Sequence, residues 1–483
     1  MHFRSIIRIV GMLMTLLSVF MLIPAIVALI YRDGGGAIFV RSFFASLILG
    51  CLLWLPNRQY RNELNTREGF LIVVLFWMVL GTIGAFPFIF DSHIKLDLTT
   101  AFFESFSGLT TTGATTIVGV DNLPKALLFY RQLLQWLGGM GIIVLAVAIL
   151  PLLGVGGMQL YRAEIPGPQK DTKMQPRIAQ TAKMLWFIYI LLTVLCSLCL
   201  WLAGMNAFDA VSHSFSTISM GGISTHDNSL AYFDSPKINY IVTFFMILSG
   251  CNFGLHFIAF RGPLIKTYWR DQEFRVFIGI LFFLIIICSL TIYLSGEKYQ
   301  HIRFDKIVLQ VVSTATTTGF MVTDINFWPP VLPVILLCAS FIGGCAGSTG
   351  GGLKVVRMLL LFLQGNRELK RLIHPNAIYS LKLNNKVLPE RIIESVWGFF
   401  SAYAFVFFAS FFIIMAVNNI ESMEAFYIVA SSLNNLGIGL GGVNDSFTEL
   451  SHVTKWVMVI DMLFGRLEIF TLLVLFMPAF WRS

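Results

Sequence analysis

The chain is 483 residues long, 56% apolar, 14% aromatic and only 12% charged. That balance excludes a soluble globular protein of this length and makes lipid the solvent. The net charge of +8 is dispersed along short connections rather than gathered into one patch, which argues against a nucleic-acid partner.

A helix needs about 20 mostly apolar residues to cross a bilayer core. In chain order such runs lie at roughly 9–30, 37–56, 69–90, 132–153, 184–204, 238–260, 275–295, 329–347, 394–417 and 453–480, which predicts about ten spans. The first follows Arg4 and Arg8, is too long for a signal-peptide core and lacks a small-residue cleavage site, so it is expected to remain as a span. With the N-terminus inside, the inner connections collect Arg58, Arg61 and Arg67; Arg162, Lys170, Lys173, Arg177 and Lys183; Arg261, Lys266, Arg270 and Arg275; and Lys354, Arg357, Arg367, Lys370, Arg371, Lys382, Lys386 and Arg391. The outer connections are thinly charged, so the distribution predicts both termini in the cytoplasm. The seven cysteines all fall in apolar runs and read as core fillers; Cys196 and Cys199 have C-x-x-C spacing but no second pair and no nearby histidine.

Between certain spans lie segments too short and polar to cross yet too apolar for ordinary loops: AFFESFSGLTTTGATT (101–116), AVSHSFSTISMGGIST (210–225), IVLQVVSTATTTGF (307–320) and AFYIVASSLNNLGIG (425–439). Aligned without gaps on Gly113, Gly222, Gly319 and Gly437, the following spans superpose Gly141, Gly250, Gly347 and Gly465, 28 residues on in every copy. The agreement argues for a repeat. The expected fold class is an all-α integral membrane protein: two additional N-terminal transmembrane helices (1–67), then four pseudo-symmetric helix, pore-helix, helix units at 68–165, 166–265, 266–375 and 376–483 around one pore. Each pore helix is followed by an extended strand, and non-helical backbone at membrane depth is tolerated only where it is buried in protein or lines water.

Four such strands on one axis suit a monovalent cation, because rings of backbone carbonyls replace hydration water without a fixed charge that would trap the ion. Glycine lets the strand turn its carbonyls inward. The candidate metal ligands are therefore Thr111, Thr112 and Gly113; Met220, Gly221 and Gly222; Thr317, Thr318 and Gly319; and Asn435, Leu436 and Gly437. The pore-helix C-termini, each carrying about half a negative charge, should favour cations there. Asp121, Asp227, Asp324 and Asp445 follow the strands, either as cation-concentrating acids at the outer mouth or as ordinary solvated loop acids.

The motifs TTTGA, SMGG, TTTGF and NNLG, together with FIGGCAGSTGGGLK and LFGRLEIFTLLVLF, resemble the Trk/Ktr/HKT superfamily of potassium transporters over essentially the whole chain, and specifically its bacterial TrkH/TrkG branch. The resemblance implies potassium uptake across a bacterial inner membrane, K+ as the transported ion with no cofactor bound by the chain itself, a homodimer with one pore per subunit, and a cytosolic nucleotide-binding regulatory ring of TrkA type. It also implies that Gly113 suits potassium, since sodium-preferring members often carry serine there. The fourth copy departs from a simple T-x-G pattern.

The third inner helix is interrupted by Gly343, Gly344, Cys345, Ala346, Gly347, Ser348, Thr349, Gly350, Gly351 and Gly352. This run cannot hold a stable helix, given a loss of about 1 kcal/mol per glycine relative to alanine. In the repeat frame Ser348 aligns with Arg466, and an arginine in mid-span is costly and usually functional. One reading has Arg466 donating to carbonyls of this loop and closing the path below the filter; the other makes it a partner of Asp461 or Glu468, whose spacings of five and two residues suit a shared helix face poorly. His256 reads as a satisfied core or end-of-helix histidine. Gly437, Gly439 and Gly442 match G-x-G-x-x-G, but no strand, turn, helix unit surrounds them. An ion-coupled carrier using Asp461 or Glu468 stays open beside a channel. An enzyme is not expected, because the eight histidines are scattered.

Overall fold

The computed structural model describes residues 1–60, 65–91, 94–141, 178–260, 262–299, 301–377, 379–384, 386–418, 420–439 and 447–482. Three helices come first: α1 (Phe3–Ser18), α2 (Leu22–Tyr31) and α3 (Gly36–Asn57). A single 3-10 turn joins α1 to α2, so together they make one apolar span of 29 residues. α1 and α3 cross in near backbone contact: a Cβ on Gly11 would lie 2.6 Å from the Trp54 amide nitrogen. Small residues permit that approach where lipid supplies no hydrophobic drive to association.

Four units follow. The first contains α4 (Thr66–Phe90), α5 (Leu98–Leu109) and α6 (Lys125–Gly139); the second contains α7 (Ile178–Leu202), α8 (Ala207–Ser219), α9 (Pro236–Gly250) and α10 (Phe253–Phe260). A short α11 (Leu264–Arg270) leads to the third, with α12 (Gln272–Leu294), α13 (Phe304–Ala315), α14 (Val331–Ile342) and α15 (Val355–Ile373). An antiparallel hairpin, β1 (Lys382–Leu383) with β2 (Lys386–Val387), leads to the fourth, with α16 (Glu390–Asn418), α17 (Ser422–Leu433), α18 (His452–Leu467), α19 (Phe470–Phe476) and α20 (Pro478–Trp481).

The second helix of each unit, α5, α8, α13 and α17, has 12 or 13 residues. At 1.5 Å per residue that is about 20 Å, too short to span. Side chains fix two of the starts: Asp97 accepts from the Thr100 amide at 3.3 Å and Asn206 from the Asp209 amide at 2.8 Å. These helices carry buried polar residues such as Glu104, Ser212, His213 and Gln310, which is possible because protein, not lipid, surrounds them. The lipid-facing side is apolar and exposed, with Leu29, Phe405 and Phe412 among its residues.

Among the described residues six helices are long and apolar enough to cross a membrane, or seven counting one bent pair. The expected ten runs differ because the inner helices break near the aligned glycines. α9 and α10 meet at 94°; α14 stops at Ile342, before Gly343 with φ 68°; α18 ends where Glu468 takes φ 55°. The run at 132–153 extends into residues outside the described set, as do Arg61, Arg162, Lys170, Lys173, Arg177 and Arg261. Lys354, Arg357 and Arg367, expected as inner-loop cations, are buried at 5%, 7% and 6% exposure, because they pack into the protein around the third inner helix.

Candidate ion pathway

Each pore helix ends the same way. The residue two before the aligned glycine is left-handed, with φ 56° at Thr111, 58° at Met220, 60° at Thr317 and 54° at Asn435, and the glycines follow at 82°, 74°, 90° and 74°. The amide between them donates back to a helix carbonyl: Thr112 to Ser107 at 2.9 Å, Gly221 to Ser216 at 2.9 Å, Thr318 to Ser313 at 2.7 Å and Leu436 to Ser431 at 2.8 Å. This six-residue closure is a helix C-cap that redirects the chain into a strand.

The four strands meet. A Cβ on Gly113 would lie 2.0 Å from the Gly221 carbonyl oxygen, one on Gly222 2.2 Å from Thr318 O, one on Gly319 2.3 Å from Leu436 O, and one on Gly437 2.0 Å from Thr112 O. The approaches run from unit 1 to 2, 2 to 3, 3 to 4 and 4 back to 1, so the strands close a ring. No side chain fits at these glycines without displacing a neighbour's carbonyl. All twelve sequence-predicted filter residues lie in these four strands.

Surrounding side chains hold the ring. The Ser107 hydroxyl donates to Ala114 O at 2.5 Å and Ser313 to Phe320 O at 2.8 Å. Hydroxyl pairs Thr110–Thr112 and Thr316–Thr318, each 2.8 Å, recur in units 1 and 3, whereas in unit 4 the Asn435 amide reaches Thr112 Oγ1 and Met462 O, both at 3.0 Å. Gln135 donates to Gly221 O at 2.5 Å. Glu104 accepts from the Thr116 amide at 2.5 Å and pairs with Arg131 at 3.4 Å, both side chains at most 2% exposed. Nine residues before each glycine stand Glu104, His213, Gln310 and Ile428; the first three bond their own exit strands, His213 through Ser224 Oγ at 2.9 Å and Gln310 through the Val322 amide at 3.2 Å.

The outer acids are partly committed. Asp227 accepts from the amides of Gly119, Val120 and Asp121 at 3.0, 2.9 and 3.3 Å, tying the exit loop of unit 2 to that of unit 1. Asp324 caps a 3-10 turn through the Asn326 amide at 2.8 Å. Asp121 faces His226 Nδ1 at 2.5 Å, and His226 Nε2 lies 3.3 Å from Asp209. Burial works against a charged His226 ring, but hydrogen bonds to Asp209 and Asp121 outweigh it and raise its pKa above 6.5. Asp445 lies outside the described residues.

The glycine-rich segment between α14 and α15 is a loop packed under the ends of three pore helices. Thr349 Oγ1 donates to Ile218 O at 2.9 Å, the Gly351 amide to Thr317 Oγ1 at 2.8 Å, and a Cβ on Gly351 would lie 2.0 Å from Asn434 O. The break in α9–α10 receives its other end, with Cys345 N on Gly250 O at 2.8 Å and Phe253 N on Gly347 O at 3.1 Å. Arg466 donates to Thr349 O at 2.7 Å and to Gly138 O at 2.5 Å, thereby joining α18, the loop and α6. Glu468 pairs with Arg357 at 2.7 Å and Asp461 accepts from Ser410 at 2.6 Å. Both His256 ring nitrogens are partnered, at 2.5 Å by Tyr268 Oη and 2.9 Å by Leu248 O, as expected of a satisfied core histidine.

Sequence reasoning passed over the serine six residues before each glycine, a fourfold identity visible in the same alignment. It also passed over Glu104 and Gln135, whose long-range partners carry no local signal, and it reads Arg131 as an outer-loop cation, whereas the side chain is buried in α6 against Glu104.

The family model described as TrkH: Cation transport protein matches residues 35–483. The chain is 63% identical over the full length of both chains to the Trk system potassium uptake protein TrkH of Escherichia coli K12 and 59% to that of Vibrio parahaemolyticus, again covering both completely. It is 41% identical to the Trk system potassium uptake protein TrkG of Escherichia coli K12, covering 100% of this chain and 99% of the relative. The crystal structure of the potassium transporter TrkH from Vibrio parahaemolyticus superposes with a TM-score of 0.90 at 55% identity, covering both chains in full. The four-unit ring of strands thus sits in a chain that belongs to the TrkH family of cation transport proteins.

Proposed function

We propose that the chain takes up K+ across a bacterial inner membrane through the ring of four strands. The ring closure at Gly113, Gly222, Gly319 and Gly437 carries this reading, because it puts backbone oxygens from four strands around one axis. In it Thr111, Thr112 and Gly113, and their counterparts Met220 to Gly222, Thr317 to Gly319 and Asn435 to Gly437, form the selectivity filter. The four units span 68–165, 166–265, 266–375 and 376–483, both termini are cytoplasmic, and the chain needs no cofactor of its own. The names of the relatives support the ion and the Trk system; the working assembly is a homodimer with a cytosolic nucleotide-binding ring of TrkA type.

Residues 343–352 form the gate, and Arg466 fastens it. The arginine's bonds to Thr349 O and Gly138 O support this role over a plain partner for Asp461 or Glu468. The pathway is channel-like: of the two candidate coupling acids, Asp461 is 1% exposed and hydrogen-bonded to Ser410 of α16, and Glu468 is paired with Arg357 at 2.7 Å.

The test is current from purified protein in a planar bilayer under opposed K+ and Na+ gradients. Reversal near the K+ equilibrium potential is expected; flux locked to a second ion in fixed ratio would favour a carrier.

A further inference from the structure

Lys354 is the residue that the gating account leaves unused. It is 5% exposed, lies at the exit of the loop, and is a non-glycine residue with φ 77°. A left-handed backbone at a long side chain is strained and persists only where its surroundings impose it. A buried lysine needs partners to offset its lost hydration. Its ammonium donates to Gly350 O. That carbonyl is the direct neighbour of Thr349 O, which Arg466 holds at 2.7 Å. Gly350 itself packs against the third pore helix, since a Cβ there would lie 2.9 Å from Thr316 O.

On the other side of the loop, Glu273 at the start of α12 accepts from the Ala346 amide at 2.6 Å and is 2% exposed. The charges acting on the Lys354 ammonium are Glu468 and Glu273, with Arg466 and Arg357 opposing them. Two adjacent loop carbonyls are therefore each held by a cation, the buried Lys354 just after the loop and the half-buried Arg466 from α18. Hydrogen bonds from an ionised donor are roughly twice as strong as neutral ones, so the pair sets the loop's position more firmly than its glycines could.

We propose that Lys354 is a positioning residue for the gate: its ammonium fastens Gly350 O beside the Arg466 contact, so that opening requires both cations to release the loop. This rests on the gating reading above. It also accounts for the left-handed backbone, which turns the side chain back over the four preceding residues.

The experiment measures K+ flux into proteoliposomes for the full chain with Lys354→Met, Lys354→Arg and Arg466→Ala, alone and combined. Lys354→Met should raise flux by about tenfold, Lys354→Arg, which retains a charged donor, should stay near wild type, and Lys354→Met with Arg466→Ala should exceed either single variant. Loss of packing alone would not be repaired by arginine. If Arg466→Ala raises flux and Lys354→Met leaves it unchanged, the gate stands and the Lys354 role is wrong; if both leave it unchanged, the gating reading itself fails and this inference with it. An arginine variant as leaky as the methionine one also overturns the proposal. Should Lys354→Met not purify as a single species, Lys354→Gln, uncharged and one atom shorter, decides by the same readout.

Discussion

At Gly113 the added Cβ of a serine would stand 2.0 Å from the Gly221 carbonyl oxygen, and the same residue has φ 82°. Gly113→Ser must therefore move a carbonyl of the neighbouring strand, in the ring proposed as the selectivity filter. The expected outcome is a fall in K+ over Na+ permeability of about tenfold, equivalent to about 1.4 kcal/mol, read as a shift in bi-ionic reversal potential. His226 gives a second residue-scale prediction. Its pKa is raised above 6.5 because hydrogen bonds to Asp209 and Asp121 outweigh burial. A raised histidine stabilises the folded protein fully below the unfolded pKa and loses that contribution as pH rises through the folded value. Melting temperature should accordingly drop more between slightly acidic and alkaline pH in the wild type than in His226→Gln; parallel profiles would refute the assignment.

The elements explain why these residues sit where they do. Each short pore helix ends in the same left-handed C-cap, and Glu104 binds α5 both to its own exit strand, through the Thr116 amide, and to Arg131 of α6. Removing one member of a buried pair leaves an uncompensated charge and costs about 3–5 kcal/mol. Arg131→Met should lower the unfolding midpoint strongly, and Arg131→Met with Glu104→Gln should recover part of the loss; an additive double variant would mean that the two side chains act separately. The loop between α14 and α15 depends on contacts from other units, among them Arg466. Its two carbonyl bonds are charge-assisted, each worth about 1.5–3 kcal/mol, so Arg466→Ala should raise K+ flux about tenfold or more. Flux at the wild-type level in folded protein would remove the arginine from the gate.

Across the whole molecule, four units of unlike sequence close one ring, and much of that was legible in the chain. The pore helices and their glycines announced themselves through apolar runs too short to span and through a constant spacing of 28 residues, and the loop through its run of glycines at 343–352. The breaks in the inner helices were less legible. Hydropathy alone reads 238–260 as one continuous run, yet the chain bends by 94° after Gly250, because the backbone there pairs with Cys345 and Gly347 of the loop. Burial of Lys354 and Arg357 was likewise hidden: a basic residue beside an apolar run reads as a loop cation until its tertiary partners are known. The outer acids read as mouth charges or as solvated loop acids, but Asp227 is occupied by three amides, a contact more than 100 residues away in sequence.

The central claim, that backbone oxygens of four strands bind the permeating ion on one axis, is tested most directly by locating a heavy K+ analogue. Crystals of the purified protein grown with Rb+ or Tl+ should show anomalous density on the axis between Thr111–Gly113, Met220–Gly222, Thr317–Gly319 and Asn435–Gly437. An empty axis with the analogue bound elsewhere would contradict the account.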